Sequence, residues 1–217
     1  MESVSIDDGL LIPLGRHTLP ADQVGERQRE RLLRAMVGCV GTSGFTGTTI
    51  ADIVRVARTS RSAFYEQFAD KEDCFLEAYE QMTAGFIDAS LRAAERMSDW
   101  HEKLDVGIST YFEWMAARPE VAVSAVVEVH CAGRRALEAR SRALGLWIQT
   151  LEGVVLLALS SGAEVRLDHA AYLAIVLTAE AEVHDYALRG RVAQVTERTA
   201  EVTALARALF ASGLASP

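Results

Sequence analysis

The sequence predicts an all-α protein: an N-terminal three-helix helix-turn-helix unit joined to a larger helical body. Three observations predict it. Apolar residues recur at three- and four-residue spacing over most of the chain. The stretch from Thr49 to Lys71 carries three good N-cap residues, Thr49, Ser60 and Asp70, at short intervals. The one strongly β-branched run, EVAVSAVVEV from Glu120 to Val129, has no second strand candidate to pair with and is read as helix.

Residues 1–21 mix Gly, Pro, Asp and Ser without periodicity, which predicts a flexible arm. From Gln23 the pattern turns helical, with Leu32, Leu33, Met36, Val37 and Val40 on one face and arginines opposite. TSGF, Thr42 to Phe45, supplies a stop, Gly44 being able to take the left-handed conformation after the last turn. Thr49 caps a short second helix whose apolar positions are Ile50, Ile53, Val54 and Ala57, and Asp52 completes a capping box. Only RTS, Arg58 to Ser60, separates it from a third helix, capped by Ser60, on which Phe64 and Phe68 face inward. Asp70 caps a long helix from Lys71 towards Met97. Further helices are expected over about 100–117, 120–131 with Pro119 in the first turn, 134–160, 168–188 and 192–211. The division is then an arm (1–21), a helix-turn-helix unit (22–70) and a body (71–217). In the last helix Val192, Val195, Thr199, Val202, Ala206 and Leu209 form a coiled-coil-like seam. The chain's own long helices could cover it, but a second copy is preferred, two helices from each subunit making a four-helix bundle.

Half of the 217 residues are hydrophobic, enough for a substantial core. Glu, Arg or His breaks every long apolar run, and the N-terminus lacks the basic-then-apolar order of a signal peptide, so a soluble cytoplasmic protein without a membrane segment is expected. Cys39, Cys74 and Cys131 are widely separated and are expected to be small buried hydrophobes rather than disulfide or zinc ligands. The net charge of −8 conceals an asymmetry: between Arg27 and Lys71 eight basic residues face four acidic ones, a balance of +4, which leaves −12 for the rest.

Two short capped helices joined by a three-residue turn, behind a longer supporting helix, follow the grammar of a DNA-binding helix-turn-helix. The first short helix braces the second, whose exposed N-terminal half enters the major groove of double-stranded DNA. Ser60 caps it; Arg61 and Ser62 lie in the first turn, where base edges are reachable; Tyr65 can pack its ring while its hydroxyl reaches a phosphate. Arg27, Arg29 and Arg31 are further candidates for phosphate contacts.

The run GFTGTTIADIVRVARTSRSAFYEQFADKEDCFLEAY, Gly44 to Tyr79, resembles the DNA-binding region of the TetR/AcrR family of one-component transcriptional regulators. The likeness covers the Gly-Phe and Thr-Thr entry to the second helix, Ile53, Ala57, Ser60, the Phe-Tyr pair, Phe68 and the DKEDCF start of the fourth helix. It implies about nine helices, a homodimer through the two C-terminal helices, a ligand cavity in the body and repression of a palindromic operator relieved by ligand. Matched position by position, Thr49, Arg61, Ser62, Tyr65 and Lys71 fall where such proteins touch DNA. Three departures stand out: Arg58 occupies a turn position where the family commonly has Gly, which suggests an added phosphate contact; Ser62 and Ala63 replace a Gly-Thr pair; and Gln67 stands where His is frequent. Arg58, Ser60 and Gln67 complete the candidate DNA-binding set.

Within the body Phe86, Tyr111, Trp114, Met115 and Trp147 are candidates to line a cavity for a small apolar or amphipathic ligand, with His130 and His184 as orienting polar groups. Ordinary core packing is the competing reading. Catalysis is not supported: there is no Glu-x-x-His pair for a di-iron site, no phosphate-cradling glycine loop and no Gly-x-Ser-x-Gly elbow. Glu180 and His184 share a helix face, which suffices for a pair of metal ligands but not for a site. No catalytic residues, metal or cofactor are therefore expected. The alternative function, a helical carrier or sensor of apolar molecules without DNA binding, leaves residues 45–71 unexplained.

Overall fold

The computed structural model describes residues 21–212, with side chains from 25 to 211, and every regular element among them is helical. The expected arm lies outside these residues except for Ala21, which opens α1 (Ala21–Gly47). Leu32, Leu33, Met36, Val37 and Val40 form the fully buried side of α1. The stop expected at TSGF is instead a kink: Gly44 has the positive φ foreseen, 75°, but an extended ψ of 160°, and the chain makes one more turn. The kink has a tertiary cause, since the Glu128 carboxylate takes the Phe45 N–H at 2.7 Å and stands 3.2 Å from where a Cβ on Gly44 would be.

Two short helices follow, α2 (Ile50–Val56) and α3 (Arg61–Tyr65), neither long enough to persist without neighbours. Their inward residues Ile53, Val54, Ala57, Phe64 and Phe68 pack on α1 in one continuous core. α4 (Lys71–Glu95) is the spine of the molecule: its first turns pack on α1 and its length runs against α5 (Trp100–Ala116) and α7 (Arg134–Ser160). By length and composition alone α7 would suffice to cross a membrane. One side of it, including Ala136, Trp147, Leu151 and Val155, is nevertheless buried in the helical body.

The helix expected over 120–131 is divided. It begins as α6 (Pro119–Ala122), widens into a π turn over Val123–Val127 and tightens into a 3₁₀ turn over Glu128–Cys131. Val121, Ala122, Ser124, Val126 and Val129 are all buried along this segment. Against α1 the approach is close: a Cβ on Gly41 would lie 2.6 Å from the Glu120 Cα, and the Ser124 hydroxyl donates to the Val37 carbonyl at 3.3 Å.

After α8 (His169–Leu188), capped by Asp168, the last expected helix is regular only as α9 (Thr199–Ser212), its first turns being 3₁₀ over Val192–Arg198. The seam reading is corrected here. Val192, Val195, Val202 and Ala206 are fully buried within this chain, where the 3₁₀ segment and α9 lie on α5, so they are not left for a partner. Cys39 and Cys74 are buried as expected, but Cys131 is exposed, because the 3₁₀ turn carries it to the surface.

Candidate nucleic-acid interface and ligand cavity

The helix-turn-helix is built by its caps. Thr49 Oγ1 accepts the Asp52 N–H while Asp52 Oδ2 accepts the Thr49 N–H, both at 3.2 Å. The Thr49 hydroxyl, which also donates to Asp52 Oδ2 at 2.5 Å, together with a bond from Arg55 and the one from the Thr49 N–H, holds the Asp52 carboxyl below its ordinary pKa. Ser60 Oγ accepts the Ala63 N–H at 3.1 Å, and Asp70 Oδ1 accepts the Asp73 N–H at 2.8 Å. The turn closes through the Thr59 N–H on the Val54 carbonyl, and Gln28 reaches across from α1 to the Thr59 hydroxyl. Arg58 is held at φ 52°, a left-handed conformation that costs a side-chain-bearing residue about 1–2 kcal/mol.

With Ala63, Phe64 and Phe68 turned inward, the outer face of α3 presents Arg61, Ser62 and Tyr65, the last 57 % exposed with its ring edge-on to Phe64. Thr49, Arg58 and Ser60 are exposed on the same helix-turn-helix unit, Thr49 and Ser60 at its two helix starts. Arg58 and Arg61 form no ion pair among the described residues, so their guanidinium groups remain available to phosphates or bases. Ser62 makes only a long contact, 3.4 Å, to Glu66.

Two other predicted contacts are occupied within the protein. Lys71 Nζ donates to the Phe45 carbonyl at 2.6 Å and the Thr48 carbonyl at 2.9 Å and lies over the Phe45 ring; partial burial lowers its pKa. It ties the kinked end of α1 to α4. Gln67 accepts from Arg29, through its carbonyl at 3.0 Å and its side chain at 3.1 Å. Arg29 also binds the Glu77 carboxylate with two nitrogens and covers the Phe68 ring, so it is a clasp between α1, the end of α3 and α4 rather than a free phosphate ligand.

In the body Phe86, Tyr111, Trp114, Met115 and Trp147 come together as predicted, around a cavity of about 50 Å³. Ring centroids lie 5.1 Å apart for Phe86 and Tyr111, 5.1 Å for Phe86 and Trp147, and 4.3 Å for Tyr111 and Trp147. Burial pushes the Tyr111 and Tyr79 hydroxyls up in pKa, the Glu180 charge adding to the effect, so both stay neutral donors. The two histidines do not join them. His130 is exposed at the end of the 3₁₀ turn, and His184 is half-buried on α8 outside the cavity lining. Glu180 does line it, gripped by Arg140 through two hydrogen bonds, which commits the carboxylate that shares a helix face with His184.

Residues 32–78 match the family model of bacterial regulatory proteins, tetR family. Over this stretch, which takes in the second half of α1, all of α2 and α3 and the start of α4, the chain is similar to that family. The chain as a whole shares its helical fold with solved structures. The fatty acid degradation regulator FadR from Bacillus halodurans is 18 % identical, with 82 % of this chain and 94 % of that one covered at a TM-score of 0.76. FadR from Bacillus subtilis, in complex with stearoyl-CoA, is 19 % identical, with 82 % and 96 % covered at 0.74. A regulator from Pseudomonas aeruginosa PAO1 is 16 % identical, with 87 % and 93 % covered at 0.73. No protein of curated function matches the chain.

The residues that sequence reasoning missed are those with tertiary roles. Thr83, Ala125 and Val126 line the cavity, the last two from within the π turn. Glu180 was open to detection: a carboxylate at helical spacing with Val176 and Val183, on the buried face of α8, needs a buried partner. The Glu128 carboxylate follows the π turn by one residue, so one short segment touches both the cavity and the entry to α2.

Proposed function

We propose that this regulator is a ligand-responsive repressor that grips a palindromic operator as a homodimer. The division of α3 by face carries the reading: Phe64 and Phe68 hold it to the core, while Arg61, Ser62 and Tyr65 have no intramolecular role that explains them. Arg61 reads base edges, Ser62 and Tyr65 add base or phosphate contacts, and Thr49, Arg58 and Ser60 hold the backbone. Lys71 and Gln67 act chiefly by fixing the unit's shape. The working units are residues 22–70 for DNA and 71–217 for ligand and dimer, in the cytoplasm where the DNA is.

Because the seam first expected to face a partner is internal, the dimer forms through the opposite faces of the same two helices. On α8 these present Ala170, Ala174, Leu177, Ala181 and Leu188, and on α9 Ala200, Ala204, Ala208 and Ala211, all exposed and spaced by three, four or seven residues. The aromatic cavity and the stearoyl-CoA of the B. subtilis relative support an apolar or amphipathic effector. Such a ligand favours a dimer geometry whose α3 helices no longer match successive grooves.

Selection of bound duplexes from a random pool tests the reading. Two inverted half-sites about one helical turn apart are expected. Their affinity should fall linearly with salt on logarithmic axes. Recovery of unrelated sequences with no common half-site would refute it.

A further inference from the structure

Four acidic residues lie in the basic stretch from Arg27 to Lys71, and three of them have an internal role. Glu30 stands 3.9 Å from the Arg34 guanidinium, Asp52 closes the cap of α2 and takes a bond from Arg55, and Asp70 caps α4. Glu66 is the exception. It is exposed, and the polar contact of its carboxylate among the described residues is with the Ser62 hydroxyl, 3.4 Å from Oε1. The stability of α3 does not explain an acid here. Glu66 is the C-cap of that helix, the end at which the free carbonyls favour a cation.

Its place on the helix points to DNA instead. The backbone of Glu66 keeps helical angles, φ −69° and ψ −24°, so the register of α3 continues through it. At about 100° per residue, Ser62 and Glu66 both lie opposite the buried Phe64, with Tyr65 and Arg61 to one side of them. A side chain on the midline of the outward face meets the floor of the major groove, where the base edges are, whereas the phosphates stand at the rims. An ionised carboxylate can only accept hydrogen bonds. On that floor cytosine offers its N4 amine alone, adenine offers the N6 amine beside the N7 acceptor, and guanine and thymine offer acceptors and a methyl group. Cytosine is therefore the base that a carboxylate meets without opposing a lone pair.

We propose that Glu66 is a specificity-determining residue of the DNA interface, its carboxylate accepting from the N4 amine of a cytosine at one position of each half-site. The inference rests on the DNA-binding reading of α3. Ser62 addresses Oε1, which leaves Oε2 to the base. Where the amine is missing, the negative charge faces the field of the duplex without a partner, so the same residue that selects one base rejects the others. Arg58 and Arg61 supply the general attraction, and Glu66 withdraws part of it from wrong sequences.

Selection of duplexes from a random pool, with the full-length protein, Glu66→Gln and Glu66→Ala at one fixed salt concentration, tests this. The parent should enrich cytosine at one position of each inverted half-site. Glu66→Gln should keep the rest of the half-site and exchange that cytosine for adenine, because an amide donates to N7 while it accepts from N6. Glu66→Ala should leave the position undetermined: its preference for the cytosine duplex over the same duplex with guanine or thymine there should fall about tenfold, while its binding to random duplex strengthens. Both variants should keep the parent's circular dichroism and thermal midpoint. Half-sites unaltered in both variants, with affinity raised equally for all sequences, would make Glu66 a merely repelling charge and overturn the proposal while leaving the DNA-binding reading intact. Changes spread over the whole half-site, the mark of a displaced α3, would overturn it as well. A parent that selects no common half-site loses both readings together.

Discussion

Arg58 holds a left-handed backbone without being glycine, and its guanidinium pairs with no described carboxylate. On the proposed function, a phosphate contact by Arg58 offsets that strain. Arg58→Gly should therefore raise stability by about 0.5–1 kcal/mol in urea unfolding while weakening DNA binding and lowering its salt dependence by about one counterion. Arg61, in the first turn of α3, should behave differently. Arg61→Ala should cost about 1–3 kcal/mol and relax base choice at one position of each half-site, whereas Tyr65→Phe should weaken all sequences alike. Comparing selected pools for the three proteins separates these roles; a wild-type pool from Arg61→Ala would contradict base reading.

Short elements here depend on their ends and on close contacts. The Asp52 carboxyl, bonded to Thr49 and Arg55, has a pKa below the ordinary 3.8. A lowered folded pKa means that the cap's contribution is complete above the unfolded value and is lost as pH falls through the folded one. Asp52→Asn should thus be less stable than the parent at pH 7, and the gap should close in strong acid, as read from denaturation midpoints. The contact of α1 with α6 offers a harsher test. Since a Cβ on Gly41 would sit 2.6 Å from the Glu120 backbone, Gly41→Ala should force the two helices apart and cost about 1–3 kcal/mol, against the small gain that alanine brings in an unconstrained helix. Thermal unfolding decides between these signs. The same contact carries Ser124 and Glu128, so its loosening should also disturb the α2 entry.

At the scale of the molecule, the basic helix-turn-helix sits on an acidic body, with −12 outside residues 27–71 against +4 within. On the proposed function, binding to DNA is confined to the heads, and bivalency through the dimer supplies much of the affinity. Leu177 is 40 % exposed at the middle of the outward α8 stripe. Leu177→Glu should convert dimer to monomer in sedimentation and weaken operator binding by about 100-fold or more, leaving the fold intact. An unchanged dimer would move the interface elsewhere. Between head and body, Arg29–Glu77 and Arg135–Asp73 bring α1 and α7 onto the first turns of α4, the helix that also lines the cavity.

What was legible in the sequence was whatever depends on neighbours within a few residues. The caps at Thr49, Ser60, Asp70 and Asp168 are local hydrogen bonds, and the faces of α1, α2 and α3 follow from helical period, so order, type and the outward position of Arg61, Ser62 and Tyr65 could be read directly. The meeting of Phe86, Tyr111, Trp114 and Trp147 was anticipated from composition and spacing. Long-range contacts decided the rest. Lys71 and Arg29 look like any surface cations until the carbonyls of Phe45 and Thr48 and the carboxylate of Glu77 are placed beside them. The C-terminal seam was correctly apolar, but periodicity reports that a face is buried and not against which chain; only packing on α5 assigns it to the interior. Sequence alone determined a helical protein with a capped helix-turn-helix that turns Arg61, Ser62 and Tyr65 outward, because local hydrogen bonding and hydrophobic period suffice for that. The tertiary structure decided which cations remain free, where the cavity lies and which faces are left for a partner, because those depend on residues far apart in the chain competing for the same contacts.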